Sequence, residues 1–227
     1  APGNAPLNSL LGEHFYGANR RALARDYLER ALNAERDPRT ALLLGLLLAD
    51  EGESERARGL LNEVVGGGLQ SFAAHYALGR LHFAEGDPRV ALAEFQRALR
   101  AWPGAEANYV VGAVSYLVGR RRAAARYLAK AVELDPSYAE AHYALGVVHL
   151  SFEERERATE AFDAALAADK NEPRYREARR LARRGRRLPE LLPFGPEARS
   201  RRRLLTGGDP RLALVLQQDA LAGTLAR

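Results

Sequence analysis

The sequence contains no cysteine, and that single absence excludes disulfides, thiolate zinc sites and a thiol nucleophile together. It does not fix the compartment, because a reducing cytoplasm and export without disulfides both fit, with the cytoplasm the slightly preferred expectation. Long apolar runs are also missing: nothing approaches the ~18 residues of a membrane span, and no basic stretch followed by an apolar core marks a signal peptide. The chain opens at Ala1 without an initiator methionine, as expected after methionine removal or signal cleavage. Lysine is scarce as well, Lys130 and Lys170 being the only two among 34 basic residues. That bias points to a GC-rich bacterial genome and says nothing about function. What remains is a chain of 227 residues, 47% hydrophobic, long enough to bury a sizeable core.

Self-similarity organises most of that chain. Gly12, Gly45, Gly79, Gly112 and Gly146 recur at spacings of 33, 34, 33 and 34 residues. An aliphatic residue precedes each, and twelve residues later stands an alanine: Ala24, Ala57, Ala91, Ala124 and Ala158. A large apolar residue follows four positions on (Leu28, Leu61, Phe95, Leu128, Phe162), then a small one three further (Ala31, Val64, Ala98, Ala131, Ala165). Apolar residues fall at helical intervals on both sides of a break marked by Gly52, Gly86 and Gly119, so each unit is expected to be a helical hairpin. In the third unit the break reads Gly86-Asp87-Pro88, a C-terminal glycine, a capping aspartate and a first-turn proline, and Pro103 and Pro136 end second helices. The glycine column of the first helix is expected to face the alanine column of the second, small against small.

At these residues the chain resembles the tetratricopeptide repeat family, whose pattern runs Leu-Gly, a turn glycine, then Ala, a large apolar residue, Ala and Pro. The best matches are HYALGRLHFAEGDPRVALAEFQRALRAWP from His75, NYVVGAVSYLVGRRRAAARYLAKAVELDP from Asn108 and HYALGVVHLSFEERERATEAFDAALAAD from His142. The first two units depart from the pattern, with Asn19 in place of the turn glycine in one and Gly66-Gly67-Gly68 loosening the end of the other. The resemblance implies an all-α, right-handed α-solenoid of antiparallel helical hairpins, five of them over residues 1–171.

Beyond the array the composition changes. Residues 173–203 hold twelve arginines against three acids, a net of +9, while residues 204–227 sum to zero, so with +5 overall the first 172 residues carry −4. Residues 172–193 read as a basic amphipathic helix, with Tyr175, Ala178, Leu181 and Ala182 on its apolar face, running into a linker broken by Pro189, Pro193 and Pro196. Over residues 194–227 a sixth, degenerate hairpin is expected, because GDPRLALVLQQDAL from Gly208 shares nine of fourteen residues with GDPRVALAEFQRAL from Gly86. Its first helix, near Glu197 to Leu205, would carry Arg201 in the glycine column.

Catalytic constellations are not found. His75 and His82 lie seven apart, as do His142 and His149, but each pair aligns with the other at columns where the family carries packing aromatics, and no convergent carboxylates complete a metal site. His14 has no partner in sequence, and Gly66 to Gly68 lack the lysine and strand-to-helix context of a phosphate loop. The chain therefore reads as non-catalytic, with no metal and no cofactor.

The informative surface is a stripe on the first helices, formed by residues at i, i+4 and i+7. It runs through Ser9, Glu13 and Tyr16; Leu42, Leu46 and Ala49; Tyr76, Arg80 and Phe83; Tyr109, Ala113 and Tyr116; and Tyr143, Val147 and Leu150. The resemblance implies that this stripe lines a concave groove where partner segments dock, and tyrosines offer the area and the hydroxyl such anchors need. Alternatively the rings pack between adjacent repeats or under the chain's own tail. Arg80 is the one basic residue of the stripe, so the lysine and asparagine clamp with which some relatives hold a terminal carboxylate is not present. An apolar or amphipathic segment of another protein is the expected ligand. The competing reading is a nucleic acid, an anionic surface or an acidic protein bound at Arg174, Arg176, Arg179, Arg180, Arg183, Arg184, Arg186 and Arg187. The aromatic interleaving of a single-strand platform is limited there to Tyr175, which counts against nucleic acid. Self-association through the C-terminal hairpin is a further expectation.

Overall fold

The computed structural model describes residues 4–68 and 71–185. The expected linker, the sixth hairpin, Arg186 and Arg187 lie outside the described residues. Among those described the chain forms eleven helices. One compact unit holds α1 (Ala5–Gly17), α2 (Arg21–Ala34), α3 (Pro38–Glu51), α4 (Ser54–Gly66) and α5 (Phe72–Ala84). A second holds α6 (Pro88–Ala101), α7 (Ala105–Leu117), α8 (Arg121–Leu134), α9 (Ala139–Ser151), α10 (Arg155–Ala168) and α11 (Pro173–Arg183). In the first unit α1 pairs with α2 and α3 with α4, and α5 follows on α3 and α4; in the second α7 pairs with α8 and α9 with α10. The class is the expected one, an all-α solenoid of paired antiparallel helices, and no described helix is long and apolar enough to cross a membrane.

Local chemistry sets the ends of these helices. Side chains of Asn4, Asp37 and Ser71 accept hydrogen bonds from the backbone amides of Leu7, Thr40 and Ala74, three residues ahead in each case, which satisfies first-turn donors. Prolines at the first turns of α3, α6 and α11 cost nothing there, since those amides have no helical partner. The expected cap at Asp87 is corrected: it precedes α6, but its side chain makes no capping bond. The turn residues Gly52, Gly86 and Gly119 take φ of 86°, 90° and 82°, and Asn19 substitutes at 55° because asparagine tolerates the left-handed region. Glu153 occupies the same conformation at 63° in the turn between α9 and α10.

The repeating columns form the core. All five column alanines are fully buried, and so are Leu28, Leu61, Leu128 and Phe162, with Phe95 close behind. One contact differs from expectation. A Cβ placed on Gly12, Gly112 or Gly146 would lie 2.6, 2.7 and 2.6 Å from side-chain carbons of Leu28, Leu128 and Phe162, and one on Gly45 would lie 3.0 Å from Leu61. The glycine column therefore receives the large apolar column, not the alanine column. Each bulky side chain fills the hollow left by a missing Cβ, a small-to-large joint that brings the paired helices together.

The last described helix continues the register of the array and then stops it. Tyr175, Ala178 and Ala182 are buried, and they stand 34 residues after the buried Ala141, Ala144 and Val148 of α9. At the glycine position, 34 residues after Gly146, stands an exposed arginine, Arg180. One face of α11 thus packs like the first helix of another repeat, and the other is polar.

Candidate functional site

The stripe on the first helices is described separately in each unit. In the first, its α1 members are engaged with α3: Ser9 Oγ lies 2.8 Å from Thr40 Oγ1, and Glu13 pairs with Arg39 at 2.5 Å. Leu42 and Leu46 of α3 are buried, as is Tyr76 of α5, whose ring stacks on Phe72 at 5.5 Å. Arg80 of α5 is 7% exposed and donates to Asp50 of α3 at 2.9 Å, while its Nε is buried with no hydrogen-bond acceptor. Tyr16, Ala49 and Phe83 remain half-buried around this cluster. Burial of the Tyr16 hydroxyl, with the Asp50 carboxylate acting in the same direction, pushes its pKa up to about 12. Asp50 is a partner that sequence reasoning missed, because it belongs to no repeating column.

In the second unit the stripe divides in two. Tyr109 of α7 is buried, with its ring 5.0 Å from that of Tyr138 just ahead of α9, while Ala113 is fully buried. Tyr143 and Val147 of α9 join Ala139, Phe162, Ala165, Tyr175, Ala178 and Ala182 in one apolar cluster. The Tyr143 ring lies 5.2 Å from Tyr175 and 5.7 Å from Phe162. Both tyrosine hydroxyls are buried without a partner, and burial raises the pKa of each, that of Tyr143 to about 12. Tyr116 and Leu150, the i+7 members, are packed against this cluster but stay half-buried, so they carry the accessible apolar surface of the stripe here.

The basic segment is largely engaged with the chain itself. Arg174 lies over the rings of Tyr143 and Tyr175, 5.6 Å from each centroid, and pairs with Glu172 at 3.0 Å. Arg179 and Arg183 share Asp163 of α10 at 2.9 and 3.2 Å, Arg180 bonds Glu177 at 2.7 Å, and Arg176 donates to the Lys170 carbonyl at 2.6 Å. Arg184 is exposed. Asp163, 16 and 20 residues away from its partners, could not be matched to them without the hairpin geometry.

Second-helix faces are internally paired as well. A cleft of about 540 Å³ between α2 and α4 is lined in part by Glu29, Arg36, Arg56 and Glu63, which pair as Arg36–Glu63 at 2.8 Å and Arg56–Glu29 at 3.0 Å. Among the histidines, His142 contacts the Pro136 carbonyl at 2.9 Å and His149 contacts Glu154 at 2.6 Å. No group of three or more histidines, cysteines and acids placed to hold a metal occurs among the described residues.

Comparison with known proteins agrees with this geometry. Two tetratricopeptide-repeat models match the chain, one over residues 9–74 and 76–117 and the other over residues 116–182. Among solved structures, YrrB, described as a TPR protein with an unusual peptide-binding site, is 23% identical, with a TM-score of 0.68 over 79% of this chain and 93% of its own. MamA from Desulfovibrio magneticus RS-1 is 23% identical, with a TM-score of 0.66 over 76% of this chain and 99% of its own. A thermophilic TPR protein of Thermus thermophilus, TTC0263, is 22% identical, with a TM-score of 0.55 over 78% of this chain and 98% of its own. No curated protein gives a significant match. With its repeating columns, its helical hairpins and family matches along nearly all of the described residues, the chain belongs to the tetratricopeptide repeat family.

Proposed function

We propose that this chain is a non-catalytic scaffold or adaptor of bacterial origin, which holds an apolar or amphipathic segment of another protein against the first-helix face of its repeats within a multiprotein assembly. The observation that carries the reading is the pair Tyr116 and Leu150, half-buried apolar side chains set on the rigid bed of Tyr143, Val147 and Phe162. Anchors of this kind lose little conformational freedom on binding, since packing has already fixed them. The peptide-binding site ascribed to YrrB, a protein of similar fold, is consistent with such a role. In this reading the array has five repeats and α11 begins an incomplete sixth, with the right-handed winding usual for the family. The wider stripe (Tyr16, Leu42, Leu46, Tyr76, Arg80, Phe83, Tyr109, Tyr143 and Val147) supports the face from below more than it contacts the partner. An acidic partner segment would reach Arg184 more readily than Arg174, Arg179 or Arg183, whose charges are already met by Glu172 and Asp163. Nucleic acid is disfavoured on the same ground.

The test is partner binding by isothermal titration calorimetry, with the partner taken from affinity capture in the native source. Tyr116→Ala and Leu150→Ala should each weaken binding by about 1–3 kcal/mol and leave the circular dichroism unchanged. Unchanged affinity in both folded variants would move the binding site elsewhere.

A further inference from the structure

The joint that closes each hairpin has two halves, and both are lost near the C-terminus. Gly12, Gly45, Gly112 and Gly146 receive Leu28, Leu61, Leu128 and Phe162 where a Cβ would stand. In α11 the glycine position is Arg180, exposed and bonded to Glu177. In the segment 208–221, which matches the second helix of the third repeat from Gly86, the large apolar position held by Phe95 is Gln217. A second-helix sequence is therefore present without a first helix that can accept it in the usual way. Its remaining differences are also directional. Where the third repeat has exposed Ala93 and buried Glu94, this segment has Val215 and Leu216, which extend Leu212 and Leu214 into a broader apolar face than a second helix needs.

We propose that residues 208–221 dock in the same molecule on the first-helix face of α1, α3 and α5, as a built-in occupant of that face. The inference rests on the reading that first-helix faces are the docking faces of this chain. Three observations select the surface and the occupant. The stripe there is apolar through Leu42, Leu46 and Tyr76, with Tyr16, Ala49 and Phe83 half-buried around it. Arg80, 7% exposed, has a buried Nε with no acceptor, and the segment brings Gln217, Gln218 and Asp219, each able to supply one. Residues 186–207 form a 22-residue tether that can span up to ~70 Å when extended, well beyond the ~30 Å of a small domain. Tethering makes the contact intramolecular, so modest complementarity suffices to hold the face closed until a stronger ligand displaces the segment.

The test uses the full-length chain with Tyr16→p-benzoylphenylalanine, irradiated at low micromolar concentration, digested with trypsin and analysed by mass spectrometry. The expected product is a cross-link within one molecule to the tryptic peptide that follows Arg211, lost when Leu214→Asp and Leu216→Asp are added. In parallel, a fluorescent synthetic peptide of residues 208–221 should bind the Leu214→Asp/Leu216→Asp chain about tenfold or more tightly than the unmodified chain, whose face is already filled. Cross-links to other peptides only, cross-links formed only between two molecules, or equal peptide affinity for both chains would each overturn the proposal. The Tyr116 and Leu150 variants report on the second unit, so loss of this inference would leave the partner-binding reading standing, and the converse also holds.

Discussion

Leu128 occupies the space where Gly112 would carry a Cβ. Such an atom would stand 2.7 Å from Leu128 Cγ and 3.1 Å from the Leu128 backbone nitrogen, so rotating the leucine cannot relieve the clash. Gly112→Ala should therefore destabilise the fold by about 1–3 kcal/mol, through separation of α7 from α8. Gly59, inside α4, meets nothing within 4 Å, and Gly59→Ala should instead stabilise by about 0.5–1 kcal/mol. Urea melts of the two variants check both signs, and a neutral Gly112→Ala would contradict the joint. Ala124→Leu should also cost about 1–3 kcal/mol, because Ala124 is fully buried, although the glycine meets Leu128 and not the alanine expected to face it.

The Tyr143 and Tyr175 hydroxyls carry a desolvation cost that no hydrogen bond offsets. Tyr143→Phe and Tyr175→Phe should consequently be neutral or stabilising by up to about 1 kcal/mol at neutral pH. The Tyr143 pKa is raised by burial from 10.0 to about 12 in the folded state. Its contribution is thus fully present below pH 10.0 and is lost as the pH rises through about 12. Melting temperatures across that range should fall less steeply for Tyr143→Phe than for the unmodified chain, and parallel curves would show that Tyr143 ionises freely.

Acid should act at the other end of the scale. The hydrogen bond from His149, with the Arg157 charge acting in the same direction, holds the Glu154 carboxyl below its ordinary 4.5. A depressed carboxylate pKa stabilises above the unfolded value, and that stabilisation fades as the pH falls through the folded one. Glu154→Gln should flatten the decline of the melting temperature below pH 4.5, with little change at pH 7. An identical acid limb in both proteins would remove the His149–Glu154 contact from the account.

Arginines in the basic segment should not behave alike. Arg174→Ala removes a guanidinium stacked on two buried rings and should cost about 1–2 kcal/mol. Arg184→Ala, on an exposed residue, should stay within about 0.5 kcal/mol. Thermal denaturation of the two single variants gives the comparison, and equal melting temperatures would refute the ring contact.

The columns at Gly112, Ala124, Leu128 and Ala131 were legible because a repeat states the same packing problem several times over, so register and hairpin class could be read from spacing alone. Which column met which could not, since both small and large residues fit a helical offset and only the backbone separation decides between them. The stripe was similarly half-legible. Helical offset put Tyr109 and Tyr143 on one face with Tyr116, but the next element covers the first two through Tyr138 and Tyr175 and leaves the third at the edge. The charge of the segment from Pro173 was obvious, yet its neutralisation by Asp163 depends on a neighbour in space that no local pattern announces.

Tyr175, Ala178 and Ala182 complete the apolar contact that α9 and α10 would otherwise offer to water, while Arg176, Glu177 and Arg180 face outward. Stacked repeats interact with nearest neighbours, so an end left apolar would be a template for the next molecule. The charged outer side of α11 makes the array a chain with a defined last link: it can be concentrated without concatenating into filaments from that end, and lengthening it by one repeat would require replacing the arginine face before any new hairpin could seat.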